Sequence, residues 1–154
     1  MPGDSLFRDH GRQVAALCWR HRRGSVLEVL LITSLSSKRW ILPKGWPEPE
    51  LGPADNAMRE AFEEAGVTGK VSPDPIGSYH YLKEKKDGGG IPCSVEVFPL
   101  EVTKQMDDWP EKGHREILWL PVDQAAARVA ELGLRQILKD FRKHHLRAKI
   151  PHSG

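Results

Sequence analysis

The chain has 154 residues and a formal net charge of +2. That length suits one domain spanning residues 1–154, with a core over about 10–146, because folding at this size buries roughly two thirds of the unfolded surface. The mild charge permits an anionic ligand without calling for nucleic acid. No apolar run reaches the roughly 18 residues of a membrane span, and the polar start Met1–Arg12 lacks the apolar centre of a signal peptide, so no membrane partner is expected. Cys18 and Cys93 form no metal or disulfide pattern, which points to reduced thiols and a cytoplasmic setting.

In chain order, Val14–Trp19 and Val26–Ile32 are apolar, β-rich runs on either side of a basic turn, and predict a hairpin. Trp40–Leu42 predicts a short strand that enters a Gly/Pro-rich loop, Pro43–Pro53. A helix follows. Ser78–Lys83 predicts a strand in which Tyr79 and Tyr81 share a face for packing, and the run from Lys83 to Gly90 predicts a mobile turn. Val95–Val102 and Ile117–Leu120 predict two more strands; Pro121 stops the last. Residues 122–130 and 134–144 predict closing helices, the second ending in a basic stretch that suits the helix dipole. This order implies an α/β fold, a mixed β-sheet flanked by helices.

The first helix carries the chemistry. Pro53 suits its first position and Gly66 its left-handed stop. Ala54, Ala57, Met58, Ala61, Phe62 and Ala65 recur at the spacing of one buried stripe. On that periodicity Glu60, Glu63 and Glu64 fall opposite the stripe, within a sector of about 100°, and Arg59 stands one turn from Glu63, able to hold its carboxylate. Three like charges at this spacing repel one another unless a cation joins them. Such an array predicts a divalent metal, Mg2+ or Mn2+, and through it a phosphorylated small molecule as substrate.

The stretch from Gly45 to Val67 resembles the signature box of the Nudix hydrolases. Gly45, Arg59, Glu60, Glu63, Glu64, Gly66 and Val67 match in register, and Ala61 occupies the aliphatic place. The box's first glutamate does not match: Leu51 holds its position and Glu50 lies one residue early. Residues 12–20, residues 39–45 and Arg115–Glu116 resemble the diphosphoinositol polyphosphate phosphohydrolase branch. The resemblance implies a Nudix-type α/β/α sandwich. It also implies a metal site of Glu60, Glu63 and Glu64 with the Gly45 carbonyl, and Glu60 or Glu63 as base. A carboxylate from outside the box is expected to complete the site, Glu116 first and Glu111 second. Arg12 and Arg39 match phosphate contacts of that branch, and Lys44 and Lys38 add charge nearby.

The expected activity is hydrolysis of a phosphoanhydride in a diphosphoinositol polyphosphate or a dinucleoside polyphosphate. A nucleoside triphosphate or nucleotide-sugar pyrophosphatase is the alternative enzyme. A non-catalytic module that binds a nucleotide or polyphosphate is the alternative of another class, kept open by Leu51.

Overall fold

The computed structural model describes residues 11–22, 24 and 26–149, with side chains to Leu146. The polar start through residue 10, part of the first hairpin turn and the side chain of Arg147 lie outside the described residues. Strand β1 (Arg12–Arg22) pairs antiparallel with β2 (Val26–Thr33), which carries β3 (Trp40–Ile41) and, along another stretch, β8 (Ile117–Pro121). On its other side β1 runs parallel to β7 (Gly90–Gln105). The first half of β7 pairs antiparallel with β6 (Gly77–Glu84), and its second half with β5 (Val67–Val71). Two residues, β4 (Lys44–Gly45), add to β1 opposite Ala15 and Val14. The sheet is therefore mixed, as the sequence predicts.

Helix α1 (Pro53–Ala65) covers one face. Helices α2 (Val122–Arg128) and α3 (Leu132–Lys149) cover the other. Side chains of a strand alternate between faces, and β1 sends Val14, Ala16 and Cys18 into the α1 layer and Ala15 and Leu17 into the α2/α3 layer. Burial on both faces explains why β1 reads as a continuous apolar run with no period of two. Both cysteines are buried free thiols. No helix among the described residues is long and apolar enough to cross a membrane.

The elements run longer than their sequence signals. The turn after β6 is closed by hydrogen bonds from the Lys85 N–H to Gly89 O (2.8 Å) and from the Gly88 N–H to Lys85 O (3.1 Å), so the hairpin strands extend to Glu84 and from Gly90. Strands β4 and β5 are additions to the prediction. At the end of α1, Gly66 adopts φ 71° and its N–H returns to Phe62 O at 2.9 Å. This left-handed cap sends the chain directly into β5.

Candidate active site

A cleft of about 630 Å³ opens between the β3–α1 loop, the start of β1, β6 and the junction of α2 with α3. Gln13, Lys44, Gly45, Glu60, Glu64, Tyr81 and Arg115 form its inner wall, with Arg39, Trp46, Lys83, Lys86 and Glu131 among the residues around them. A second cavity, about 570 Å³, lies at the other end of β1 between Trp19, Ile76, Ile137 and Phe141, away from the carboxylates of α1.

The α1 stripe is rotated from the predicted one. Ala57, Ala61 and Ala65 are fully buried against β1, while Phe62 is only half-buried. The rotation carries Glu64 out of the solvent sector and into the interior at 5% exposure. Its carboxylate accepts the Lys44 N–H (3.1 Å) and lies 3.7 Å from the Arg115 guanidinium. Glu60 lies one turn earlier and lines the same cleft, and its charge is felt at Glu64. A Cβ at Gly45 would sit 2.4 Å from Glu60 Oε1, so the absence of a side chain at Gly45 makes room for this carboxyl.

Burial pushes Glu64 well above the usual carboxylate range; Arg115 opposes the shift and the Glu60 charge adds to it. Burial also raises Glu60, with Glu63 and Glu111 adding to the effect while Glu64 opposes it. Burial and the charge of Glu60 both disfavour the ionised form of Glu64. The pair thus marks a place short of positive charge and lined by hard oxygen donors, a donor set that fits magnesium or manganese. Among the described residues, no three His, Cys, Asp or Glu side chains converge ready-made on an ion. The neighbouring carboxylates are engaged elsewhere: Glu63 accepts from Arg59 Nε at 2.8 Å and Glu111 from Arg115 Nε at 2.9 Å.

Arg59 also reaches Glu48, with Nη1 2.7 Å from Oε2. The loop that delivers Glu48 is fixed by Asn56, a buried side chain that the sequence reading passed over. Its carboxamide oxygen accepts the Glu48 N–H (2.9 Å), and its Nδ2 donates to the carbonyls of Glu48, Leu51 and Gly52, each at 3.1 Å. Leu51 and Glu50 are exposed. The carboxylate of this loop that meets Arg59 is therefore Glu48. Glu48→Gln is expected to lower kcat/KM by up to about fivefold, the cost of loosening one exposed ion pair by up to ~1 kcal/mol. Glu50→Gln should stay within about twofold. A larger loss for Glu50→Gln than for Glu48→Gln would show that the exposed carboxylate matters more than the one paired with Arg59.

The predicted cations divide. Arg39 and Lys44 line the cleft, whereas Arg12 is exposed at the edge of β1 and Lys38 sits in the 34–39 turn at φ 55°; neither lines the cleft. Lys44 Nζ donates to Tyr81 Oη (2.7 Å) and Gln13 Oε1 (3.3 Å), and the Tyr81 hydroxyl donates to Gln13 at 2.6 Å. Burial and the charge of Lys83 push Lys44 down to about 8, with Glu64 and Glu131 opposing. Tyr79 packs in the core as expected, but Tyr81 serves this polar network. Among the residues the sequence reading missed, Lys83 stacks over the Trp46 ring at 5.6 Å.

Of the two carboxylates expected from outside the box, the structure brings Glu111 to the array and leaves Glu116 exposed. The Glu111 N–H donates to Glu63 O (3.0 Å), and its side chain contributes to the field at Glu60. Glu116 uses its backbone on Thr33, donating its N–H to Oγ1 at 3.0 Å. Arg115, one residue earlier, turns inward and also donates to Thr33 O at 3.0 Å.

Diphosphoinositol polyphosphate phosphohydrolase 3-beta of Bos taurus is 36% identical over 117 residues, 74% of this chain and 66% of that protein. Nudix hydrolase 12, mitochondrial, of Arabidopsis thaliana is 34% identical over 120 residues, 75% of this chain and 58% of that protein. The chain thus spans less than two thirds of the Arabidopsis relatives it matches. Among solved structures, a C. elegans Ap4A hydrolase superposes with a TM-score of 0.66 at 21% identity, covering 88% of this chain and 98% of that one. The NUDIX domain of Shewanella oneidensis NrtR, complexed with ADP ribose, gives 0.64 at 15%, covering 88% of each chain. A family model described as the NUDIX domain matches residues 9–141, from before β1 into α3, and through that match the chain belongs to the NUDIX family.

Proposed function

We propose that this chain is a divalent-metal-dependent pyrophosphohydrolase, acting on a phosphoanhydride in a small polyphosphorylated molecule such as a diphosphoinositol polyphosphate or a dinucleoside polyphosphate. The observation that carries this reading is Glu60, seated against Gly45 one turn from the buried Glu64, with both glutamates lining a cleft that also holds Arg39, Lys44, Lys83 and Lys86. The name of the Bos taurus relative supports the polyphosphate substrate.

In this reading Glu60, Glu64 and the Gly45 carbonyl would hold magnesium or manganese, with Glu63 and Glu111 close by, each paired with an arginine. The ion supplies charge neutralisation at the phosphate oxygens. Lys44 orients the phosphate chain from the floor of the cleft. Glu60, raised by burial and facing the cleft, accepts the proton of the attacking water. The new P–O bond forms as the anhydride P–O bond breaks, and the released phosphate group leaves with the bridging oxygen. Glu63, tied to Arg59, suits a holding role better than that of base.

Chromatography of the products formed with magnesium tests this on four substrates: diphosphoinositol pentakisphosphate, diadenosine tetraphosphate, a nucleoside triphosphate and a nucleotide sugar. Turnover of one of the first two, abolished by chelation, is expected. Lys44→Ala should cost about one to two orders of magnitude in kcat/KM, the worth of one charge-assisted phosphate contact. Arg12→Ala and Lys38→Ala should cost less than threefold. A chain inert on all four that binds one tightly would replace this reading with a non-catalytic binding module.

A further inference from the structure

The cleft contains a carboxylate that the hydrolytic reading does not use. Glu131 lies at the junction of α2 and α3, its side chain 9% exposed, and lines the cleft together with Tyr79, Tyr81 and Lys44. Its charge is felt at all three of those residues. Across the mouth, its Oε2 lies 3.7 Å from Arg39 Nη1, an ion pair too long to be a hydrogen bond. A carboxylate offers about four acceptor positions and no donor, and no side chain among the described residues is within hydrogen-bonding distance to fill them.

This is an odd wall for an all-phosphate ligand. A phosphate brought against Glu131 meets like charge in a recess where screening is weak. Arg39, the cation opposite, is already partly neutralised. A group with hydroxyl or amino hydrogens would instead fill the empty acceptor positions. A fully phosphorylated inositol has no such hydrogens, whereas a nucleoside carries them on its ribose and, in adenosine, on its exocyclic amine.

Resting on the hydrolytic reading above, we infer that Glu131 is a specificity-determining residue. Its carboxylate accepts a hydrogen bond from a hydroxyl or amine next to the phosphate chain, so the cleft selects a nucleoside-type end over a fully phosphorylated polyol.

The inference predicts effects of opposite sign on two ligands. Binding of diadenosine tetraphosphate and of diphosphoinositol pentakisphosphate is measured by calorimetry, and kcat/KM with magnesium, for the native chain, Glu131→Gln and Glu131→Ala. Glu131→Ala should weaken the dinucleotide about 10- to 100-fold, the worth of a hydrogen bond to a charged group, with the loss in KM rather than kcat. The same variant should bind the inositol ligand more tightly, because a like charge is removed from the recess. Glu131→Gln, isosteric and still an acceptor, should lose less on the dinucleotide and show the same gain on the inositol ligand.

Equal losses on both ligands would reduce Glu131 to an anchor for Arg39 and overturn the inference, as would no change on either. A native chain that binds both ligands but cleaves neither would sink the hydrolytic reading, while the ratio of affinities still decides the role of Glu131. Binding of neither ligand would overturn both.

Discussion

Glu60→Gln and Glu64→Gln are each expected to lower turnover by about two to four orders of magnitude, the range typical of losing a positioned base or its supporting charge, while the protein stays folded. The two variants differ in what they leave intact. Gln at position 60 removes the group that receives a proton, and it keeps the shape that packs against Gly45. Gln at position 64 can still accept the Lys44 N–H, which now lies 3.1 Å from the carboxylate.

Stability separates a designed charge site from an ordinary buried polar group. Glu64 is 5% exposed, and burial disfavours its ionised form. A neutral amide of the same shape escapes that penalty, so metal-free Glu64→Gln should melt at or above the temperature of the native chain. Magnesium should raise the melting temperature of the native chain by mass action and have a much smaller effect on the variant. Thermal melts with and without magnesium, beside steady-state turnover, read both outcomes. Near-normal turnover in both variants, or an undiminished magnesium shift in Glu64→Gln, would remove the metal from this helix.

How far residues alone reveal this site depends on whether a local rule governs them. Pro53 and Gly66 bound α1 where capping chemistry places them, because helix ends are decided by neighbours in sequence. The strand runs are found for the same reason. The direction of side chains is another matter. Since β1 is buried on both faces, its apolar run carries no alternation, and nothing local tells whether Arg12 or Gln13 faces the cleft. The structure selects Gln13.

The same one-residue ambiguity separates Arg115 from Glu116, and it is settled by pairing with Thr33, some eighty positions away in sequence. Glu64 shows the limit of helical periodicity. The alanine stripe is narrow, so a modest rotation about the α1 axis moves a glutamate from solvent to interior. Strand β5 was missed because Val67–Val71 holds a glycine and a lysine; its place is set by the long partner β7. Glu48 was missed because the contact it makes with Arg59 depends on the loop path that Asn56 imposes.

Gly45→Ala should come close to the glutamate variants in its effect on turnover while barely changing stability. The backbone at Gly45 is not in the positive-φ region, so alanine is not opposed by its own conformation. What opposes it is the Glu60 carboxyl, whose Oε1, Cδ and Oε2 would lie 2.4, 2.5 and 2.7 Å from the new Cβ. Real contacts of this kind stay beyond about 3 Å, so one partner has to move, and the partner able to move is the end of a flexible glutamate. Its displacement exposes a half-buried carboxyl to water, which costs the fold little. The same shift takes the proposed base and metal ligand off its position by roughly 1 Å, and a misplacement of that size costs on the order of 100-fold in rate. The expected result is a melting temperature within a few degrees of the native value and a loss of about two orders of magnitude in kcat. Gly45→Ser should behave the same way. Unchanged turnover in Gly45→Ala would mean that the contact between Gly45 and Glu60 has no part in catalysis.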